Sequence, residues 1–463
     1  MRKMIFVTAL FVLASALCSS CGDHVQADIP AEMTAEAVSL LQGDGAPDRA
    51  DGSHGGQQTR ICRTAHGTYA AFVSSQEDDA YRFHIVRIDG GEISYLYSDT
   101  CPADAALVNI AQDTSGDVYV TAFPADTWKR SGPRSAWLAL YVIDPVTDGV
   151  TVLKESRPFV GDCSYGYAMP LFDFERRRIY AVYAGIDDPG RLAWFTFDMD
   201  RGEWEDGCIC AVLDGMAHTY FYCFPDGNGG AVILGERDIP VDAIPELRFG
   251  EGGPVLAGYL WDQLDLIFIP DMKEGGCSMV SVQAADYSMG ADGIAPINTN
   301  NQYGDAFMDG NGLLHIIYLS YFADYGRSDS GTVASESRQI RHAVFDGTEC
   351  LFNERLPLES EPSAYAVRMT ENTGGELYIV ATTIGGSLSE KVEIYRAEDP
   401  CGEKWLLEKT MLLSGFNTAS FSISSSRGGS LCDGTVDCLA FAYRPDESGE
   451  TVTDLYYFTA DIG

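Results

Sequence analysis

Positive charge is scarce in this chain. Its 463 residues include 31 Lys and Arg against 68 Asp and Glu, so the formal net charge is −37. A field of this sign repels the phosphates of nucleic acids and anionic membrane surfaces, which excludes nucleic acid as a general partner. We interpret the acidic excess as a solvated surface that keeps the protein soluble, with cation binding or adaptation to salt as the alternatives.

Long apolar stretches are missing after the N-terminus. Residues 4–17 are apolar and follow the basic start Arg2-Lys3, but they fall short of the ~18 residues that a membrane span needs. This pattern is typical of an export signal. Small residues precede Cys21, so the segment resembles a bacterial lipoprotein signal, which implies that 1–20 are removed and that Cys21 is lipidated. Because Cys18 stands where that family usually has Leu, an ordinary secretory signal is the alternative.

The segment between the signal and the first repeat lacks large apolar residues over 43–58, where Gly, Asp, Ala, Ser and His dominate. Such a composition indicates a flexible spacer. The preceding residues 28–42 predict a short helix with Pro30 near its first turn. We therefore expect a lipidated tether over 21–58, a β-propeller over 59–463, and a protein held at the cell envelope or, alternatively, secreted.

Metal-ligating spacings are absent, and no cofactor motif is recognisable, so neither a metal nor a cofactor is predicted. Thirteen cysteines are many, and export makes disulfides available. Removing Cys18 and Cys21 leaves an odd number, so at least one thiol is unpaired or bonded outside the chain. Cys432 and Cys438 flank a five-residue turn and are the predicted disulfide.

The chain repeats one phrase: a short apolar stretch, a polar turn usually with Asp and Gly, and a β-branched or aromatic run. A second apolar strand follows most copies, as in Arg82–Asp89 and Ala136–Asp144. Such runs stopped by turns predict strands, and no long helical pattern interrupts them. The copies lie at 64–72, 112–120, 172–182, 225–234, 308–317, 370–380 and 424–443.

Repetition of this length predicts an all-β propeller, because one small sheet cannot bury its apolar faces without neighbours. Seven copies favour seven blades, with six as the alternative. Two stacked β-sandwiches fit less well, since sandwich strands do not keep returning to one turn. We expect the final strands near residues 455–458 to complete a blade together with residues near Arg60, which would remove free sheet edges.

Two stretches carry a family resemblance. Residues 309–318 with 341–347, and 376–380 with 398–405, resemble the repeats of the sialidase-like (BNR-repeat) propeller superfamily. That superfamily includes sialidases, other glycan-active enzymes and noncatalytic binding proteins. The Arg-Ile-Pro segment of sialidases is replaced here by Arg60-Ile61-Cys62, so no hydrolysis of sialosides is expected. A clamp for a carboxylate requires several arginines, and the candidates are Arg60, Arg63, Arg341 and Arg368.

The inner strands of a propeller line a central channel, and ligands tend to bind at its mouth. Residues just before each repeated phrase should point there. We expect a binding or scaffold protein, monomeric, that takes a saccharide or an envelope protein; the alternative is a glycan-active enzyme, a glycosidase or a lyase. No catalytic residue is assigned, although His218 stands out at the start of an inner strand. The predicted mouth residues are Arg60, Asp104, Tyr165, His218, Tyr303, Tyr365 and Asn417.

Overall fold

The computed structural model describes a large part of the chain. Its described residues are 33–34, 37–42, 47, 50–51, 58–75, 81–101, 107–123, 135–158, 168–185, 190–213, 217–240, 259–284, 297–299, 304–324, 335–358, 367–382, 389–414, 417–430, 432–445 and 451–462. Residues 1–20, the predicted signal peptide, and Cys21 lie outside them, so export and lipidation remain predictions.

Strands dominate these residues, and a 3₁₀ helix spans Ser426–Gly428. In chain order the strands are β1 (Met33–Thr34), β2 (Val38–Ser39), β3 (Ala50–Asp51), β4 (Ile61–Thr64), β5 (Gly67–Ser75), β6 (Tyr81–Asp89), β7 (Glu92–Cys101), β8 (Val108–Gln112), β9 (Val118–Ala122), β10 (Ser135–Asp144), β11 (Gly149–Pro158), β12 (Ala168–Asp173), β13 (Arg178–Gly185), β14 (Arg191–Asp198), β15 (Glu203–Trp204), β16 (Ile209–Val212), β17 (Ala217–Pro225), β18 (Ala231–Pro240), β19 (Tyr259–Ile269), β20 (Ser278–Ala284), β21 (Ile297–Thr299), β22 (Asp305–Met308), β23 (Leu314–Asp324), β24 (Ser335–Asp346), β25 (Glu349–Arg355), β26 (Val367–Glu371), β27 (Leu377–Thr382), β28 (Ser389–Ala397), β29 (Trp405–Ser414), β30 (Asn417–Ile423), β31 (Thr435–Pro445) and β32 (Thr451–Asp461).

These strands form seven small sheets, the blades of a seven-bladed β-propeller, which confirms the predicted fold and blade number. From the channel outward, blade 1 is β4 with β3, then β5, β6 and β7; blade 2 is β8 to β11; blade 3 is β12 to β14 with β15 and β16. Blade 4 is β17 to β20; blade 5 is β22 with β21, then β23, β24 and β25; blade 6 is β26 to β29 with β1; blade 7 is β30, β31, β32 and β2.

The repeated phrase falls at the turn between the first and second strand of each blade, as predicted. Its acidic or amide residue caps the turn: Asp113 Oδ1 accepts hydrogen bonds from the N–H groups of Ser115 (2.9 Å) and Asp117 (3.0 Å). Asn372 does the same for Gly374 and Glu376, both at 2.9 Å. The repeat is therefore a structural turn, because its side chains are bound to the backbone.

Apolar side chains fill the spaces between neighbouring blades. Between blades 1 and 2, the rings of Phe83 and Tyr141 stack with their centroids 4.6 Å apart, and Val118 and Val120 pack in the same cluster. Each blade thus buries its faces against the next one around the ring, which explains why the repeat must be complete to be stable.

The N-terminal segment corrects two predictions. Met33–Thr34 and Val38–Ser39, inside the region where a short helix was expected, are strands on the outer edges of blades 6 and 7. Closure of the ring therefore involves β2 on β32, where Val38 is paired with Tyr457, and not the residues near Arg60, which begin blade 1. Backbone pairing with an open strand edge outweighs the helical pattern of so short a segment.

The predicted disulfide between Cys432 and Cys438 is wrong: both cysteines are free thiols. Cys438 is part of β31, where the ladders fix it between Ile423 and Phe458. The thiol of Cys432 donates instead to the carbonyl of Ser424, with 3.3 Å between sulfur and oxygen. In the described part of the chain, no helix is long and apolar enough to cross a membrane.

Candidate functional site

The structure describes three of the seven predicted mouth residues. Arg60 and His218 are buried, and Asn417 begins β30, its side chain lying outside the description. The guanidinium of Arg60 lies 4.4 Å from the ring centre of Phe441 and donates to Gln58 Oε1 at 3.1 Å. The other four lie outside the described residues: Asp104, Tyr165, Tyr303 and Tyr365.

Blade 4 departs from regular geometry at its innermost strand. The pairing of β17 with β18 shifts between Thr219 and Tyr222, and Tyr220 between them has a left-handed backbone with φ 54°. A left-handed conformation is uncommon for a residue with a side chain. A bulge of this kind re-aims the side chains beside it, and bulges are frequent next to active sites.

The bulge brings His218 to an acidic partner on another strand. His218 Nε2 lies 2.9 Å from Asp265 Oδ2, and both side chains are buried. His218 is on β17 and Asp265 on β19, so the contact crosses β18 at Gly235, which is paired with Asp265. A Cβ on Gly235 would lie 3.3 Å from the Cβ of His218 and 3.0 Å from the ring of Phe221. The missing side chain at Gly235 therefore makes room for the contact.

Asp265 is itself oriented. Its second oxygen, Oδ1, accepts a hydrogen bond from the Nε2 amide of Gln263 at 2.7 Å. When Asp265 accepts the Nε2 proton of a neutral His218, the ring nitrogen without a proton is Nδ1. A carboxylate that sets the tautomer of a histidine is the arrangement used in general base catalysis.

The four arginines considered for a carboxylate clamp do not form one cluster. Arg63 makes a two-bond ion pair with Asp437, at 2.6 and 2.7 Å. Arg341 donates to Asn353 Oδ1 at 3.0 Å between the outer strands of blade 5. Arg368 is buried, as Arg60 is, and it donates to the carbonyl of Val367 at 2.7 Å.

Arg427 is a central residue that sequence reasoning missed. It lies in the 3₁₀ helix after the inner strand of blade 7, and its Nη1 donates to Asp305 Oδ1 and to the carbonyl of Ala306, both at 2.8 Å. Its Nη2 donates to Thr59 Oγ1 at 2.6 Å, and its guanidinium lies 5.1 Å from the ring centre of Tyr222. Arg427 thus joins blades 1, 4, 5 and 7 across the channel. Its position after a Ser-rich turn carries no sequence signal for this role.

Tyr222 lies at the meeting point of several charges. Burial raises the pKa of its hydroxyl, Asp305 raises it further, and the positive charges of Arg368 and Arg427 lower it. The hydroxyl therefore keeps its proton at neutral pH and donates to the carbonyl of Gly304. Burial lowers the pKa of Arg368, while Tyr222 and Asp305 act in the opposite direction. Two arginines, a carboxylate and a protonated phenol thus lie together in the channel.

A cavity of about 70 Å³ lies beside this cluster, between Thr59, Asn109, Met169, Tyr222 and Arg427. A larger groove, of about 630 Å³, runs on the outside between blades 2 and 3. There the cations are already paired, as for Arg157 with Glu155 at 2.7 Å. Because the channel holds the buried polar groups that a ligand would contact, we take it as the candidate site. No group of His, Cys, Asp and Glu among the described side chains could hold a metal ion.

Comparison with known proteins adds a structural likeness. No protein-family model and no curated protein matches the sequence, so the resemblance to sialidase-like repeats has no support at the sequence level. An ulvan lyase from a new family of polysaccharide lyases, solved bound to -[GlcA(1-4)Rha3S]-, is similar over 91% of this chain and 96% of its own, with 12% identity and a TM-score of 0.54. This chain shares the fold of a polysaccharide lyase.

Two more distant likenesses have TM-scores of 0.41 and 0.40. The first is to an α-L-arabinofuranosidase of Fusarium graminearum, with 8% identity over 92% of this chain and 98% of that one. The second is to the β-propeller domain of the Trilobed protease of Pyrococcus furiosus, with 11% identity over 88% of this chain and 98% of that one. At such identities a likeness shows the fold alone.

Proposed function

We propose that this protein is a glycan-active enzyme, a lyase that cleaves a polysaccharide containing uronate at the mouth of its channel. The observation that carries the proposal is the buried pair of His218 and Asp265, 2.9 Å apart, on the bulged blade that also presents Tyr222 to the central arginines. The first expectation, a binding or scaffold protein, explains the fold but leaves this pair without a use.

A lyase needs three contributions from the protein. A base removes the proton on the carbon next to the uronate carboxylate, positive charge stabilises the anion that forms, and an acid protonates the departing glycosidic oxygen. A carbon–carbon double bond then replaces the broken carbon–oxygen bond. In our proposal His218 is the base, Arg368 and Arg427 supply the positive charge, and Tyr222 is the acid, since its raised pKa keeps the phenol protonated at neutral pH.

A glycosidase would require a pair of carboxylates, one to protonate the leaving oxygen and one to attack or to activate water. Asp305 fits that role poorly, since Arg427 binds its Oδ1 and the N–H of Met369 donates to its Oδ2 at 2.8 Å. The histidine and arginine chemistry therefore supports elimination better than hydrolysis. The ulvan lyase of similar fold, bound to a GlcA-containing oligosaccharide, supports the same substrate class.

The net charge of −37 opposes an anionic substrate at long range. Exposed charges farther away than a Debye length of about 8 Å are screened at physiological salt. Arg368 is buried and Arg427 half-buried in the channel, so both are screened less than exposed charges. We therefore expect the local positive charge to decide binding at the mouth, and activity to rise modestly as added salt screens the long-range repulsion.

The test uses the full chain with a panel of uronate-containing polysaccharides, ulvan included, and a neutral polysaccharide as a reference. Elimination creates an unsaturated uronate, which is followed by its ultraviolet absorbance. We expect turnover on at least one uronate polymer and none on the neutral polymer. His218→Asn should reduce the rate on the order of 10²- to 10⁴-fold, the usual range for a general base. Lys154→Ala, on the outer strand of blade 2, is the matched surface variant and should retain the rate.

Other outcomes decide between the alternatives. New reducing ends without the ultraviolet product would assign the protein to the glycosidases. Saccharide binding without any cleavage would return it to the binding proteins. Turnover that survives His218→Asn would remove His218 from the mechanism.

A further inference from the structure

Two buried histidines join blades 5 and 6. His315 lies on β23 and His342 on β24. The distance from His315 Nδ1 to His342 Nε2 is 3.1 Å, and the two rings are nearly parallel. His342 Nδ1 lies 3.0 Å from the carbonyl oxygen of Gly402, in the turn between β28 and β29 of blade 6. His315 Nε2 lies 3.6 Å from Asp309 Oδ2 in the capped turn of blade 5.

Two of these contacts are hydrogen bonds, from His315 to His342 and from His342 to Gly402, and the two N–H protons of two neutral imidazoles supply them. Nε2 of His315 then carries a lone pair; it is buried, has no hydrogen-bond partner among the described residues, and faces the carboxylate of Asp309 at 3.6 Å. Two electron-rich groups that face each other in a buried site repel each other, and a proton is missing between them.

The Asp309 carboxyl does not supply the missing proton. Its Oδ1 accepts hydrogen bonds from the N–H groups of Asn311 and Leu313, at 2.9 and 2.8 Å. Burial alone would raise the pKa of Asp309, but these bonds together with His315 bring it below its ordinary value. His342 is the less suitable ring for a second proton, because burial and the neighbouring His315 lower its pKa to about 3.

We propose that His315 is a buried imidazolium, and that the chain from Asp309 through His315 and His342 to Gly402 is a proton-dependent clamp between blades 5 and 6. A protonated His315 keeps both hydrogen bonds and turns the contact with Asp309 into an ion pair. A neutral His315 that still donates to His342 directs the lone pair of Nε2 toward the carboxylate, which is repulsive.

The surroundings of the chain are acidic. Glu371, at the end of β26 in blade 6, accepts the N–H of Gly310 at 2.9 Å, and the charge of Asp309 together with burial raises its pKa. The turn that carries Gly402 contains Asp399 and Glu403, whose charges with that of Asp309 act on Cys401. Phe307, Phe352 and Trp405 pack against the two rings. The negative charge of the surrounding carboxylates favours the positively charged form of His315, which these aromatic rings enclose.

The sign of the pH dependence follows from proton counting. The folded chain binds one proton more than two neutral histidines do, and unfolded histidines lose theirs near pH 6.5. Stability therefore falls as pH rises above neutral and the clamp loses its proton. The turn 398–404 should then exchange its amide hydrogens faster, because the bond from His342 to Gly402 holds it against blade 5.

The test counts protons directly. Nitrogen NMR of the full chain labelled only at histidine distinguishes an imidazolium from each neutral tautomer. At neutral pH we expect His315 to be protonated on both nitrogens and His342 to be neutral, with its proton on Nδ1. Asp309→Asn removes the charge but keeps the turn, since Asn372 caps the equivalent turn of blade 6. This variant should lose the imidazolium and the alkaline fall in stability.

Asp113→Asn is the matched control, because it changes the same capping position in blade 2, where no histidine takes part in the contacts of Asp113. It should leave the histidine signals as in the wild type. Two neutral rings in the wild type, or an imidazolium that persists in Asp309→Asn, would overturn the proposal. The wild-type spectrum decides the matter even if a variant does not fold.

Discussion

Blades 1 and 4 each bury a histidine, and the two histidines differ in strand and partner. His84 lies on β6, outside the innermost strands, and its two ring nitrogens contact Ser74 Oγ and Ser98 Oγ, both at 2.8 Å. His218 lies on the innermost strand and contacts the carboxylate of Asp265. Hydroxyls satisfy a neutral ring, whereas a carboxylate also sets its tautomer and stabilises its charged form. The comparison separates a core histidine from a candidate base.

The blades also differ in regularity. In blade 1 the two inner ladders, β4 with β5 and β5 with β6, pair without a shift, and the outer ladder of β6 with β7 shifts between Ile85 and Val86. In blade 4 all three ladders shift: β17 with β18, β18 with β19, and β19 with β20. Irregular pairing weakens a sheet but allows contacts that a regular register forbids. The irregular strand pairing of blade 4 thus coincides with the pair of His218 and Asp265.

The largest expected effect concerns His84. Burial lowers its pKa from 6.5 to about 4, so between these values the unfolded state is protonated and the folded state is not. Stability therefore falls as pH falls from 6.5 to 4, by about 3 kcal/mol at 1.36 kcal/mol per pKa unit. His84→Gln, which does not titrate, should remove this part of the acid-induced loss in denaturant unfolding followed across pH.

His66, exposed in the turn of the same blade, supplies the control: His66→Gln should keep the wild-type acid profile. An unchanged profile in His84→Gln would mean that the ring is solvated, and the contrast with His218 would fail. His342 contributes to the acid profile of both variants alike, since its pKa is also lowered.

The next effect concerns Gly235, the residue that lets His218 cross blade 4. In Gly235→Ala the new methyl group would meet the ring of Phe221 at 3.0 Å, and overpacking of this kind costs about 1–3 kcal/mol. We expect lower stability and a loss of any activity that depends on His218. Gly276→Ala, at a turn position of the same blade where a Cβ meets nothing within 4 Å, should be neutral in both measurements. Equal behaviour of the two variants would contradict the crossing contact.

The smallest effect concerns two residues with the same left-handed backbone, Tyr220 in the bulge and Arg177 in a turn of blade 3, both with φ 54°. Glycine removes the steric cost of this conformation but increases the freedom of the unfolded chain, so the gain is at most about 1 kcal/mol. We expect Arg177→Gly to stabilise the protein slightly without affecting activity. Tyr220→Gly should loosen the bulge and lower activity; full activity with higher stability would show that the bulge is not needed.

The sequence predicted much of the fold because propeller turns are local. Asp113, Asn372 and their counterparts bind backbone groups two and four residues away. Each copy of the repeated phrase can therefore be recognised as a turn from its own sequence, without knowledge of the other blades. The site was predicted only in part. His218 was found from its place before a repeated phrase, but Asp265 and Gly235 were missed. The contact of His218 with Asp265 across Gly235 depends on register shifts, and the alternation of apolar and polar residues along a strand does not reveal such shifts. Arg427 was missed because its turn resembles any polar loop.

The sequence and the tertiary structure therefore determined different features of this protein. The sequence by itself determined seven turns, the strands around them and the acidic surface, since these depend on neighbours along the chain. Only the tertiary structure decided which buried polar groups meet: Arg427 with Asp305, 122 residues away, and His218 with Asp265, 47 residues away. It also decided that Val38–Ser39 is a strand and not a helix. These outcomes depend on how the blades close into a ring, which places distant segments side by side around one channel.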